Sequence, residues 1–151
     1  MATPASTPAA SPAPASGAAP GSAPTSTPSD IHPCLTYADA PAAIDWLCRA
    51  FGFTSRLVVP DDDGGVAHAE LSLGTGVVMV SSPKPADDRF APDPTAKSFS
   101  LSVCVPDPDA HHARATAAGA EVVRPVQDEP YGARGYMVRD LEGHLWYFGD
   151  Y

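Results

Sequence analysis

The stretch of sequence that decides the fold covers residues 131–149 and reads YGARGYMVRDLEGHLWYFG. It predicts two short strands joined by a turn over Asp-Leu-Glu-Gly, with aromatic residues crowded onto the second strand. A similar but weaker pattern, LSLGTGVVMV, occupies residues 71–80. The repetition indicates one supersecondary unit used twice. Two such units with curved sheets would enclose a cavity.

The start of the chain has a different composition from the rest. Its first thirty residues are almost entirely Ala, Pro, Ser, Thr and Gly, and Asp30 is their only charge. Such a stretch buries too little apolar surface to offset backbone ordering, and repeated Pro blocks helices and ladders. We therefore expect residues 1–29 to form a disordered tail, without the pattern of a secretory signal. Residues 30–151 have the size of one small domain.

Charge and cysteine usage narrow the class of protein. The net charge is −9, and the basic residues are scattered singly, which argues against nucleic acid and anionic membranes as partners. No apolar run approaches the ~18 residues of a membrane span. The three cysteines, Cys34, Cys48 and Cys104, fall inside predicted elements. An odd number favours buried thiols in a reducing cytoplasm over a disulfide framework.

Both halves of the domain follow the order strand, helix and three strands. In the first half the strands are expected at residues 31–37, 54–59, 66–73 and 77–81, with a helix from the cap Asp39 to Gly52. After a linker over residues 83–96, the second half repeats the order, with strands at 98–105, 121–124, 134–139 and 144–148 and a helix from Asp107 to Gly119. The expected fold class is α+β, built from two tandem βαβββ modules.

Four segments carry a resemblance to a known family: LTYAD at 35–39, RAFGF at 49–53, AAGAEVV at 117–123 and RDLEGHLW at 139–146. They resemble the vicinal oxygen chelate superfamily, which includes glyoxalase I, bleomycin-resistance proteins and extradiol dioxygenases. The resemblance covers nearly everything after the tail. It implies that the two modules form a curved half-barrel sheet around a ligand cavity. The motifs specify the fold rather than the function, because members catalyse different reactions or none.

The resemblance also implies where a metal would be bound. Metal-dependent members carry one inward-facing ligand on the first and last strand of each module. In this chain those positions hold His32, Val80 (or Met79, one register away), Ser100 and Tyr147. Only His32 is a good ligand, since such sites need imidazole and carboxylate groups. We therefore expect no metal cofactor.

His68 and Glu70 keep an alternative open, because they share one face of a predicted strand. They lie on the third strand of their module, where the resemblance implies no ligands, so a solvent-facing pair is the favoured interpretation. The alternative is a metal-dependent enzyme of the glyoxalase I or dioxygenase type. There His32 and Glu70, with His68 as a further candidate, would bind one divalent transition metal that polarises a carbonyl or enediolate.

Alternation assigns several residues to faces. Ser98, Ser100, Ser102 and Cys104 share one face of their strand, which is expected to face the cavity. His32 and Cys34 also share a face and are interpreted as cavity lining rather than as a thiol beside a base. On the last strand, Tyr147 points inward if it takes the ligand position that the resemblance implies, and alternation then turns Trp146 toward the helices. Trp46, on the first helix, is expected in packing or in an interface.

Tyr131, Arg134 and Tyr136 are expected beside the cavity mouth, as the resemblance implies. There Arg134 could bind a carboxylate or phosphate, while the tyrosines stack on a planar ring. An arginine bridging the acidic turn near Asp140 is an equal alternative. His111 and His112 are adjacent on an alanine-rich helix and are expected at the surface.

The function expected from these observations is metal-free binding or sequestration of a small organic ligand, in keeping with the resemblance to bleomycin-resistance proteins. The resemblance also implies a homodimer, with Trp46 and the edge strands as candidate contacts. A weaker alternative, from another class, is a scaffold whose Ala/Pro tail recruits a partner. The expected ligand-binding residues are His32, Cys34, Val78, Val80, Ser100, Arg134, Tyr136 and Tyr147.

Overall fold

The computed structural model describes residues 31–84 and 99–151 of the chain. The expected tail at 1–29 and most of the expected linker at 83–96 lie outside the described residues. The described elements, in chain order, are β1 (Cys34–Thr36), α1 (Ala40–Phe51), β2 (Thr54–Pro60), β3 (Val66–Leu73), β4 (Gly76–Ser81), β5 (Leu101–Cys104), α2 (Pro108–Ala117), β6 (Glu121–Asp128), β7 (Arg134–Arg139) and β8 (Leu145–Gly149). The tandem βαβββ order is confirmed.

The strands form two four-stranded sheets with the same topology. The first sheet has the order β1-β4-β3-β2 and the second has the order β5-β8-β7-β6. In each sheet the first strand of the module runs parallel to the last, while the remaining neighbours are antiparallel. The fold class is therefore α+β with open, curved sheets, as predicted.

Strand lengths differ from the expected ones at three places. β1 and β5 are shorter, because ladder pairing begins only at Cys34 and Leu101. β6 is longer and continues past Pro125 to Asp128, with register shifts on both sides of Arg124. β6 is an outer strand of its sheet, where a residue without an N–H group is tolerated.

Both helices begin with the same local device. Asp39 accepts a hydrogen bond from the backbone N–H of Ala42 at 3.1 Å, and Asp107 accepts one from Ala110 at 2.9 Å. Each cap is followed by a proline in the first turn, where the missing N–H has no intrahelical partner to lose. The first helix ends at Gly52, whose φ of 83° is the left-handed conformation that glycine adopts readily.

One hydrophobic core joins the two modules. Its largest fully buried side chains include Trp146, Phe148 and Phe51. Phe51, at the end of α1, packs with its ring centre 5.4 Å from that of Trp146 and 4.8 Å from that of Phe148, both on β8. Trp46 is also buried and donates from Nε1 to the carbonyl of Ala118 at 2.8 Å. Trp46 therefore packs inside the domain, and its side chain is not free for contact with another copy.

His111 is a second side chain that departs from expectation, because it is half-buried between the modules. Its Nε2 lies 2.9 Å from the carbonyl oxygen of Phe51, and its Nδ1 lies 2.7 Å from the hydroxyl of Tyr136. A carbonyl can only accept, so Nε2 carries the proton and Nδ1 accepts from the tyrosine. Burial lowers the pKa of His111, so the neutral imidazole is the form that fits here.

Two carboxylates tie the turn between β7 and β8 to the first module. Asp140 is buried and accepts hydrogen bonds from the Tyr37 hydroxyl at 2.6 Å and from Trp146 Nε1 at 2.9 Å. Glu142 accepts from the backbone N–H groups of Ala38 and Asp39, at 2.7 and 2.9 Å, just before α1. This turn fixes the second module against the N-terminus of α1.

Candidate ligand cavity

A cavity of about 650 Å³ lies on the face of the second sheet that is turned away from the helices. Its volume is in the range of sites for drug-sized ligands. We call it the second-sheet cavity. The described residues of its lining combine aromatic rings, hydroxyls and one pair of opposite charges: Ser100, Ser102, Arg124, Glu129, Tyr131, Met137, Tyr147 and Tyr151.

Tyr147 forms the floor of the second-sheet cavity. Its neighbours on β8, Trp146 and Phe148, are fully buried on the helix side, so alternation places Tyr147 on the opposite face. The ring lies across Gly135 and Gly149, which pair with each other on β7 and β8. A Cβ atom at Gly149 would come within 2.7 Å of this ring. The absence of side chains at both glycines is what allows the ring to lie on the sheet.

An ion pair borders the ring of Tyr147. Arg124 donates to Glu129 through both terminal nitrogens, one of them at 3.2 Å, and its guanidinium carbon lies 5.6 Å from the centre of the Tyr147 ring. The Tyr147 hydroxyl donates to Glu129 Oε1 at 3.4 Å. Burial and a hydrogen bond with Tyr131 raise the pKa of Tyr147, so the phenol stays protonated near neutral pH. Because Arg124 and Glu129 form an ion pair, their opposite charges neutralise each other in the cavity lining.

Tyr151 closes one side of the second-sheet cavity. Its hydroxyl shares a hydrogen bond of 2.7 Å with the hydroxyl of Ser102, and either atom could be the donor. Its ring centre lies 6.0 Å from that of Tyr147, with the planes inclined by 31°. Tyr131, on the turn after β6, also lines this cavity and is 70% exposed. Three tyrosines thus contribute to the lining of the second-sheet cavity.

The sequence-predicted residues are placed in different parts of the molecule. Ser100 and Tyr147 line the second-sheet cavity together. Arg134 and Tyr136 lie on the opposite face of β7, because the register that pairs Met137 with Tyr147 places only alternate residues in the cavity. Their placement at a cavity mouth is therefore corrected.

Arg134 binds carboxylates of this chain instead of facing a ligand. It donates to Asp109 from Nε and Nη2, at 2.7 and 2.9 Å, and to Asp128 from Nη1 at 2.9 Å. The alternative contact near Asp140 is not formed either. Tyr136 is fully buried with its hydroxyl on His111. Both side chains stabilise the packing of α2 on its sheet.

The remaining predicted residues belong to the first module. Val80 is buried on the helix side of β4, whereas Val78 lines a separate cleft between the modules. Cys34 is exposed, and so is Cys104, which corrects the expectation that these thiols are buried. His32 is exposed just before β1. None of these four predicted residues, Val80, Val78, Cys34 and His32, lines the second-sheet cavity.

Several cavity residues escaped the sequence interpretation. Arg124 and Glu129 were missed because the strand was expected to end at 124, so the turn that returns Glu129 to Arg124 was not foreseen. Met137 could have been found, since it is two residues from Gly135 and alternates with buried neighbours. Tyr151 follows the last strand and offers no periodic signal.

The positions implied for a metal do not present a metal-binding donor set. On β4 the outward-facing residue is Met79, whose Sδ lies 3.9 Å from Cys34 Sγ. In the second module the corresponding face holds hydroxyls, one of which is bonded to Tyr151. His68 and Glu70 lie 3.5 Å apart, but the described residues contain no group of three His, Cys, Asp or Glu side chains able to bind an ion. A zinc ion normally has three or four such protein ligands.

The fold and the cavity define a class of protein, and comparison with known sequences identifies it. A family profile described as the Glyoxalase/Bleomycin resistance protein/Dioxygenase superfamily matches residues 31–148. The chain belongs to this superfamily. An uncharacterised protein of Mycobacterium bovis is 32% identical over 123 residues, which cover 79% of this chain and 81% of that protein.

The chain is also similar to several solved structures. TioX from Micromonospora sp. ML1 is 42% identical, with a TM-score of 0.66 over 82% of this chain and 96% of that protein. A glyoxalase-related enzyme from Fulvimarina pelagi is 19% identical, with a TM-score of 0.64 over 81% of this chain and 88% of that one. UcmS2 has a TM-score of 0.67 at 17% identity, over 83% of this chain and all (100%) of that chain. The last two similarities concern the fold alone.

Within the described ranges, neither helix is long and apolar enough to cross a membrane.

Proposed function

We propose that the chain binds a small organic ligand carrying a planar ring in the second-sheet cavity, without a metal, and thereby sequesters it. The observation that supports this most is the group of three tyrosines around one space, with Tyr147 held against the sheet by two glycines. Aromatic rings offer large contact area, and the nearby serine hydroxyls can orient polar substituents. The superfamily name includes resistance proteins, which fits sequestration of a drug or metabolite.

The charge state of the cavity supports a ligand that is not strongly anionic. Among the described residues of its lining, Arg124 is the only cation, and it already donates two hydrogen bonds to Glu129. An anionic ligand would have to compete with that carboxylate. We therefore propose a neutral planar ring as the group that the cavity accepts.

Binding of 7-methoxycoumarin, a neutral planar fluorophore, tests the proposal. Replacing Tyr147 by Leu or Tyr131 by Ala removes one aromatic contact each, worth about 0.5–1.5 kcal/mol. We expect Kd to rise about twofold to tenfold in a fluorescence titration. Leu141→Ala is the matched control for Tyr131→Ala, because both residues are exposed and lie in turns. Leu141 lies in the turn between β7 and β8, outside the cavity lining. Equal Kd values for all four proteins would reject the proposal.

A chelator experiment tests the metal-free part. Protein purified without a histidine tag is measured before and after EDTA dialysis, with elemental analysis for Ni, Zn, Fe and Mn. We expect unchanged Kd for the coumarin and far less than one metal per chain. A stoichiometric metal, together with a His32→Ala or Glu70→Ala variant that loses it, would establish the metal-dependent alternative instead.

We also propose a homodimer in the cytoplasm. All of β2 is exposed, and on this outer strand Leu57, Val58 and Val59 present apolar side chains that are 44, 45 and 41% exposed. An outer strand of this kind is suited to covering by a second copy. The three free cysteines fit a reducing compartment.

A further inference from the structure

We propose that the ligand has two parts, a planar ring in the second-sheet cavity and an uncharged apolar arm in a second cleft. This inference rests on the proposed function and adds to it the chemical class of the ligand. The second cleft, here called the inter-module cleft, has a volume of about 450 Å³. It lies where β5 faces the first module.

The inter-module cleft is open because of the sheet topology. β5 is an outer strand of the second sheet, so one of its edges has no described strand beside it. The opposite wall comes from the first module, from the turn between β3 and β4 and from the segment before β1. Apolar side chains dominate the lining, among them Phe53, Leu101, Val103 and Trp146.

The chemistry of the cleft selects an uncharged occupant. The described residues that line it include no Asp, Glu, Lys or Arg. Its polar side chains are a few hydroxyls and the thiol of Cys104. Burying a charge there would leave that charge without a partner, whereas an alkyl or alkoxy group would replace water on apolar walls.

The two spaces meet at one residue. Ser102 lines both the second-sheet cavity and the inter-module cleft, because the two faces of an outer strand are both accessible. The Tyr151 hydroxyl is bonded to Ser102 at this boundary, and Cys104 Sγ donates to the Tyr151 carbonyl at 3.3 Å. A ligand that spans both spaces therefore passes over Ser102 beside the ring of Tyr151.

A series of 7-alkoxycoumarins with methyl, butyl and octyl arms tests the inference by fluorescence titration of the full-length protein. A buried methylene contributes about fourfold in affinity. We expect the butyl compound to bind at least tenfold more tightly than the methyl compound, with a smaller further gain for octyl once the cleft is filled. Intermolecular NOEs from the arm to the methyl groups of Leu101 and Val103 should accompany the gain.

A blocking variant shows where the arm lies. Val77→Trp places a bulky side chain in the cleft lining and should abolish the gain from the arm while methyl binding is unchanged. Val123→Trp, at an exposed position on β6 outside both linings, is the matched control and should keep the gain. The NOE measurement on the unmodified protein decides the matter if Val77→Trp does not fold.

The outcomes separate the two proposals. Binding of the methyl compound with no gain for butyl, or a gain that persists in Val77→Trp without NOEs to the cleft, overturns the two-part ligand and leaves the proposed function standing. Failure of every compound to bind, including the methyl one, overturns both.

Discussion

Replacing the buried carboxylate Asp140 by Asn should strongly destabilise the domain. Asp140 Oδ2 accepts from the Tyr37 hydroxyl and from Trp146 Nε1. Oδ1 accepts from the backbone N–H groups of Glu142 and His144, at 3.1 and 3.0 Å, and from His144 Nδ1 at 3.3 Å. Every partner is a donor, so both carboxylate oxygens are needed as acceptors.

An asparagine at this position cannot accept from all of the donors, because only one of its two terminal atoms is an oxygen. If its carbonyl oxygen faces the backbone N–H groups, its NH₂ group meets the indole N–H of Trp146, which can only donate. In the flipped orientation, the NH₂ group meets the two backbone donors instead. A hydrogen bond to a charged group contributes about 1.5–3 kcal/mol, and a buried unsatisfied donor costs about 1–3 kcal/mol. We therefore expect a loss of about 3 kcal/mol in the free energy of unfolding.

Urea denaturation followed by tryptophan fluorescence at pH 7.5 measures this loss. With a slope of about 1.5 kcal/mol per molar urea, the midpoint should fall by about 2 M. Asp62→Asn, in an exposed turn, is the matched control and should stay within about 0.5 kcal/mol of wild type. A midpoint for Asp140→Asn equal to that of the control would refute the reasoning.

The pH dependence gives an independent check. Burial opposes ionisation of Asp140, but hydrogen bonds from His144, Tyr37 and Trp146 outweigh it and hold the pKa below the ordinary 3.8. The ionised carboxylate therefore stabilises the folded state above about pH 4, and this contribution is lost as the pH falls through the lowered pKa. The difference between wild type and Asp140→Asn should shrink below pH 4.

Three further predictions concern the cavity, the buried histidine and the dimer. Gly135→Ala should destabilise the domain by about 1–3 kcal/mol and weaken coumarin binding, because the new Cβ would meet the Tyr147 ring and lie 2.6 Å from the carbonyl oxygen of Phe148. Gly76→Ala is the control and should do neither, since its Cβ would have no neighbour closer than 3.4 Å. Burial lowers the pKa of His111, so the free energy of unfolding should fall as the pH drops below 6.5, the ordinary pKa of histidine. Urea denaturation at pH 7.5 and 5 should show this loss in wild type and in His112→Gln but not in His111→Gln. Val58→Lys should shift the protein from dimer to monomer in light scattering, and an unchanged mass would contradict the contact.

The element order was predictable from sequence because it depends on local signals. The caps Asp39 and Asp107, each followed by proline, identify both helix starts, and alternation identifies the strands. The ends of the strands were predicted less accurately than their order. β5 begins later than its alternation suggests, because pairing with β8 extends only from Leu101 to Cys104.

The cavity was only partly predictable, because its composition depends on which elements pack together. Alternation alone separates Tyr147 from Trp146, but it was the family resemblance that implied which of the two faces the cavity. Arg134 was not assigned correctly, because its partner Asp109 lies on α2 and becomes available only when that helix docks on β7. His111 was expected at the surface for the same reason, since its acceptor is the carbonyl of Phe51 in the other module.

Alternate side chains of β8 belong to two different surroundings, the core and the second-sheet cavity. Trp146 and Phe148 face the helices and join the modules through Phe51, while Tyr147 faces the second-sheet cavity. Because side chains alternate across a strand, a shift of one residue would place a tyrosine hydroxyl in the core and an indole in the cavity. The bonds of Trp146 to Asp140 and of Tyr147 to Glu129 act against that shift, since each polar group has its partner only in the observed register. Substitutions at 146 and 148 should therefore change the free energy of unfolding, whereas substitutions at 147 should act mainly on ligand affinity.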